Sequence, residues 1–241
     1  MQFTGGPRYC ETPTDISAWA FPVEPFNTWS NLSIIAFAVI GFFLVVRRVP
    51  RAWDLYLLCA ILLVNGVGSL LWHGLRDGTA LGIEVDAGLL FLAGLFLFWA
   101  RRVMPLWQTG LFIVGFYIAA FQLAPVLFDN NSLINLGRWA SMMPAVVLFG
   151  GYLVYRTSLY SKAASYLGTV GIGSAVLALT FRIVDAEGLI CSSVPMGTHS
   201  LWHTFLSAGA FMGLLAMMGV IRMGETRMGT ASTPPLGAPA E

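Results

Sequence analysis

Charge is scarce in this chain: Asp, Glu, Lys and Arg together make up 10% of its 241 residues, and 13 basic against 12 acidic side chains leave a net charge of +1. No nucleic-acid partner is expected, because no Lys/Arg cluster reaches the density that phosphate contacts require. An apolar leader is missing as well. The opening Met1-Gln-Phe-Thr-Gly-Gly-Pro-Arg-Tyr-Cys10 has no hydrophobic core, and about 25 polar or mixed residues precede the first long apolar run, which speaks against a cleaved signal. No internal repeat and no second domain are visible. Histidine is limited to three copies and cysteine to three.

What the chain has in excess is hydrocarbon. Its 57% hydrophobic residues and mean hydropathy of +0.75 exceed what a soluble domain of this size needs, so an integral membrane protein is expected. Apolar stretches of about 20 residues, the length that crosses roughly 30 Å of hydrocarbon, fall at 27–46, 53–74, 80–100, 105–125, 133–155, 163–182 and 198–221. The expected fold is an all-α, seven-transmembrane helix bundle. It divides into an extramembrane segment, 1–26, a transmembrane domain, 27–222, and a Gly/Pro/Ala/Thr-rich tail, 223–241, expected to be disordered.

Orientation follows from the basic residues, which are retained on the cytoplasmic side. With the N-terminus outside, the inner loops and tail hold Arg47, Arg48, Arg51, Arg101, Arg102, Arg156, Lys162, Arg222 and Arg227, against Arg8, Arg76, Arg138 and Arg182 outside. Nine against four favours N-out, C-in, with the tail cytoplasmic.

All three histidines lie in two short polar insertions, Ser69-Leu-Leu-Trp-His73 and His199-Ser-Leu-Trp-His203. An imidazole in hydrocarbon demands a partner, and histidine is the commonest nitrogen ligand of metals. Residues four apart share a helix face, so His199 and His203 can hold one ion from span seven while His73 reaches it from the end of span two. Zinc is the expected ion. Three imidazoles leave a tetrahedral zinc one open position, the pattern of a catalytic site, and a water held there ionises near pH 7. Asp86, near the start of span three, is expected to face the interior as general acid/base, and Ser69, one turn below His73, to hydrogen-bond a developing oxyanion. Asn65 continues that face as interhelical glue. The plainer readings are an interfacial belt around Trp72 and Trp202, or a zinc that only braces a seven-span lipid receptor or binding protein.

Glu24-Pro-Phe-Asn27-Thr-Trp-Ser30-Asn31, Ser69-x-x-x-His73, Asp86 and His199-x-x-x-His203 together resemble the alkaline ceramidase family, part of a wider group of seven-span hydrolases that includes the adiponectin-type receptors. The resemblance spans nearly the whole chain. It implies that His73, His199 and His203 bind zinc and that Asp86 and Ser69 assist hydrolysis of the ceramide amide to a sphingoid base and a fatty acid. The substrate would be a membrane lipid, met at an active site in the outer, periplasmic or lumenal leaflet. An outward N-terminus fits the ceramidase branch better than the receptor branch. The resemblance also implies a calcium site through Cys10-Glu11 and Glu24. Here the chain departs from the family: Arg8 stands at an aspartate position, Tyr9 at a tryptophan and Pro13 at or near an asparagine, with Asp15 a possible substitute. Glu11 and Glu24 read equally as solvated or helix-capping acids. Cys10 and Cys191 both fall on the outer side, where a disulfide could tie the N-terminal segment over the metal site, and the resemblance implies the same pair. Cys59, within span two, is expected to be a small buried apolar residue.

Overall fold

The computed structural model describes residues 6–18, 20–124, 126 and 142–231, and among them every regular element is helical. A 3-10 turn, Ile16–Ala18, and the short helix α1, Pro25–Ser30, lead into α2, Leu32–Arg48, α3, Trp53–Leu75, and α4, Gly78–Val103. Helix α5, Leu106–Tyr117, continues as a π-helical turn, Ile118–Leu123, and is followed by α6, Met143–Ser158, α7, Lys162–Ala186, and α8, His199–Ala231. Six helical stretches are long and apolar enough to cross a membrane: Pro25–Arg48, Trp53–Leu75, Gly78–Val103, Leu106–Leu123, Lys162–Ala186 and His199–Gly224. The expected span 133–155 is represented by α6, whose 16 residues fall short of a full crossing. Residues 133–141 lie outside the described residues.

Local signals set the boundaries. Asp77 caps α4 by accepting from the Ala80 amide, and Ser161 caps α7 by accepting from that of Ala164. Pro25 opens α1, where its missing amide hydrogen is not needed. Helix α8 runs on to Ala231, into the stretch 223–241 expected as a tail. The first proline after the span is Pro234, so nothing in Met223-Gly-Glu-Thr-Arg-Met228 removes a backbone donor. Residues 232–241 lie outside the described residues.

Apolar side chains cover the outside of the bundle, among them Phe43, Leu90, Leu111, Val114, Leu148 and Tyr166. A surface this greasy suits lipid rather than water. The packed core lies toward the end where α2 and α4 finish and α3 begins, around Val45, Leu55, Leu58, Trp99, Val103 and Met217. Polar ties close that end: Arg102 pairs with Asp54 at 2.6 Å, and Arg156 donates to the Val103 carbonyl. Toward the other end the core opens into a cavity.

Two glycines let helices approach closely enough to build that open end. A Cβ on Gly68 of α3 would stand 2.9 Å from the Glu84 backbone nitrogen of α4. A Cβ on Gly209 of α8 would stand 2.8 Å from the Gly171 carbonyl oxygen of α7. Neither obstacle is a movable side-chain tip, so substitution separates the helices. Gly68→Ala is expected to destabilise the protein by about 1–3 kcal/mol, as overpacking does, and to pull Ser69 away from Glu84. Thermal melts of the purified protein in detergent check the stability.

Candidate metal centre

Helix α3 delivers His73 in its last turn, and the first two turns of α8 deliver His199 and His203. All three are buried, and one ring nitrogen from each lies within 4.8 Å of the other two. Their ring centroids are 4.6 to 5.1 Å apart. The Nε2 atom of every ring is buried without a hydrogen-bond partner.

The Nδ1 atoms explain that arrangement. Nδ1 of His73 meets the Glu24 carboxylate at 2.5 Å, and Glu24 is kept ionised by Arg76, whose guanidinium donates to it at 2.9 Å. Nδ1 of His203 meets the Ser30 hydroxyl at 2.8 Å. That hydroxyl donates its one hydrogen to the Asn27 carbonyl, so it accepts from His203. Both contacts place the proton on Nδ1 and leave the Nε2 lone pair facing inward. Buried lone pairs aimed at one another are costly unless a cation sits between them. The group could hold a metal ion.

Helix α8 starts where it does because Asp185, at the end of α7, accepts from the amides of Thr198 and His199 at 2.6 and 2.9 Å. Its other oxygen accepts from the Cys10 amide at 3.0 Å. One buried carboxylate therefore fixes both the first turn of α8 and the N-terminal segment. Asp185→Ala is expected to lower stability by about 1–2 kcal/mol, as loss of a cap does, and to loosen His199, readable as a fall in metal retention.

The N-terminal segment is a strap over the histidines. Cys10 and Cys191 are joined in a disulfide with Cα atoms 5.0 Å apart, and Tyr9 stacks on His199 with centroids 3.7 Å apart. Burial pushes the Tyr9 phenol above its ordinary range against the pull of Arg182, so it stays protonated.

The carboxylate that the fold brings to Ser69 is Glu84. Its Oε1 accepts from the Ser69 hydroxyl at 2.9 Å, its backbone carbonyl accepts from the Asn65 amide at 2.7 Å, and its Oε2 is buried without a partner. Asp86, the expected acid, is exposed on α4 and is not brought to the site. Two residues further along a helix is about 200° further round, which turns Asp86 to the far side. A signal for Glu84 was present: it continues the face of the buried Ala80, Ala87, Phe91 and Leu95 at helical spacing, and Asp86 does not.

The expected calcium pair does not fit calcium. Both oxygens of Glu11 accept from the Phe26 and Asn27 amides, capping α1 from a distance. Burial pushes Glu11 above the ordinary carboxylate range, against those two bonds. The oxygens of Glu24 are taken by His73, Arg76, Thr12 and Asn27. Burial raises its pKa, but His73 and Arg76 outweigh this and hold Glu24 below the ordinary range. The cation here is the protein's own. Arg76 stacks 3.9 Å from the Trp72 ring, donates to the Pro7 carbonyl and sits at φ 53°, a left-handed conformation that a non-glycine residue adopts at a cost. Burial pulls the Arg76 pKa down, with Glu24 opposing. Excess calcium or a calcium chelator is accordingly expected to leave the melting temperature unchanged.

Beneath the histidines a cavity of about 350 Å³ runs into the bundle between apolar residues that include Ile34, Leu62, Phe91, Leu95, Trp99 and Ala210. Its polar residues are few and include Glu84, Arg182, His199 and His203. Compared with protein-family models and with curated proteins, the chain matches none significantly.

Proposed function

We propose that this chain is a zinc-dependent intramembrane amidase that cleaves the N-acyl bond of ceramide or a similar N-acyl lipid to an amine and a fatty acid. The observation that carries the reading is the meeting of three buried Nε2 atoms without hydrogen-bond partners, a carboxylate with a buried free oxygen and an apolar cavity. An all-imidazole donor set suits zinc and leaves it an open coordination position. Zinc, when bound, supplies Lewis-acid activation of water and of the scissile carbonyl.

The rest falls to the chain's own residues. Glu84 takes the proton of the attacking water on Oε2 and returns it to the leaving amine. Ser69, expected as an oxyanion donor, has its hydrogen committed to Glu84 and so orients that carboxylate. Glu24 and Ser30 hold His73 and His203 in the ligand tautomer. The cavity accommodates acyl chain, and its apolar lining strengthens each polar contact at its mouth.

In the membrane, seven spans with α6 as the fifth, an outer N-terminal strap and inner Arg47, Arg48, Arg101, Arg102 and Arg156 satisfy the positive-inside rule. The site then sits in the outer leaflet. The test is hydrolysis of a fluorescent ceramide by the purified protein, with and without a zinc chelator. Chelator-sensitive release of fatty acid supports the reading. Folded, zinc-loaded protein that cleaves neither ceramide nor other N-acyl lipids would instead favour a lipid-binding protein braced by metal.

A further inference from the structure

Arg182, near the end of α7, is a half-buried cation that lines the apolar cavity together with Glu84, whose carboxylate feels its charge from beyond ion-pair distance. Among the described residues no carboxylate oxygen lies within ion-pair distance of it, and its Nε is buried with no hydrogen-bond partner. The guanidinium rests 5.8 Å from the Tyr9 ring and 5.5 Å from the Trp202 ring and hydrogen-bonds the Tyr9 phenol, contacts that place it and satisfy part of its fork without forming an ion pair. Its NH1 approaches Nδ1 of His199 at 3.4 Å. Once Nε2 of that ring holds a metal, Nδ1 carries the ring proton and cannot accept from an arginine. Arg76, another cation at this end, is already paired with Glu24. A half-buried guanidinium with no ion pair keeps donors free to fork onto a carboxylate that enters the cavity.

We propose that Arg182 is a recognition residue for a carboxylate on the substrate's head group, which makes N-acyl amino acids the preferred substrate class of this site. The proposal rests on the amidase reading and narrows it. The geometry suits this class, because Arg182, His199 and His203 line the same cavity and the guanidinium lies 3.4 Å from the His199 ring, close beside the histidine group. An N-acyl amino acid sets its carboxylate within about one residue length, ~3.8 Å, of its amide. The long acyl chain then lies along the apolar walls. A neutral amino-alcohol head leaves Arg182 without an anion.

The test is equilibrium binding, by calorimetry in lipid nanodiscs, of N-oleoylglycine and its uncharged isostere N-oleoylglycinamide. The protein is the wild type stripped of metal by a chelator, then the same protein reloaded with zinc, then Arg182→Gln and Arg182→Lys. We expect the zinc-loaded protein to prefer the carboxylate by about tenfold or more, the scale of one charge-assisted hydrogen bond. Arg182→Gln should erase that preference while leaving glycinamide binding unchanged, and Arg182→Lys should keep part of it. In the metal-free protein the preference should persist in weakened form, which separates Arg182 from the ion's own attraction for a carboxylate. Equal affinity for the two ligands, or a preference that survives Arg182→Gln, overturns the proposal. So does Arg182-dependent binding of oleate alone, which assigns the residue to the product. Arg182-dependent carboxylate binding with no amide cleavage keeps this inference and removes the amidase reading, whereas ceramide cleavage with no carboxylate preference does the reverse.

Discussion

Replacing Glu84 by glutamine is expected to lower the rate of amide hydrolysis by about 10²–10⁴-fold, the range seen when a positioned acid/base is lost. At 1.36 kcal/mol per decade this is about 3–5 kcal/mol of transition-state stabilisation. The glutamine amide can still meet Ser69 and fill the same volume, so folding and metal content should remain near wild type. Asp86→Asn should leave the rate nearly unchanged, because Asp86 is exposed on α4 outside the site. The pair of variants is a clean contrast: two acids two residues apart, only one of which touches Ser69. Steady-state rates with a fluorescent ceramide or N-acyl glycine, alongside zinc content, check it. A Glu84→Gln protein as active as the wild type removes Glu84 from the chemistry.

Replacing Glu24 by glutamine is expected to act on stability and metal affinity together. Loss of the carboxylate that orients a ligating histidine typically weakens metal binding by about 10–100-fold. It also leaves Arg76 as a buried charge without its partner, and breaking such a pair costs about 3–5 kcal/mol. The two effects can be separated. Adding Arg76→Met to Glu24→Gln should recover much of the stability by removing the orphaned charge, but not the affinity, since His73 still lacks its carboxylate. Thermal melts and competitive zinc titration against a chromogenic chelator provide the two readouts. Recovery of both would mean that Glu24 serves only Arg76.

The sequence made the histidine group legible because rare polar residues in hydrocarbon announce themselves, and helical spacing alone puts His199 and His203 on one face. The six long apolar helices were legible for the same reason, since crossing a bilayer demands about 20 apolar residues in a row. What stayed hidden were contacts that depend on register between helices. Glu84 and Asp86 are equally acidic and equally placed in the chain, and only the rotation of α4 against Gly68 of α3 decides which meets Ser69. Glu24 looked like a cation ligand and is one in a sense, because its cation is Arg76, 52 residues away. Asp185 carries no local sequence signal of its role, although it starts α8 and anchors the strap. Long-range pairing of this kind leaves no periodic trace. The tail was read from its Gly/Pro/Ala/Thr-rich composition, a signal that does not mark where α8 stops.

Zinc content of the purified, chelator-free protein, measured by elemental mass spectrometry beside His73→Ala and His203→Ala, tests the central claim most directly. The account predicts about one zinc per chain in the wild type and none retained in either variant. A folded wild type without metal, or variants that keep all of it, would contradict the claim that imidazoles from α3 and α8 converge on one ion.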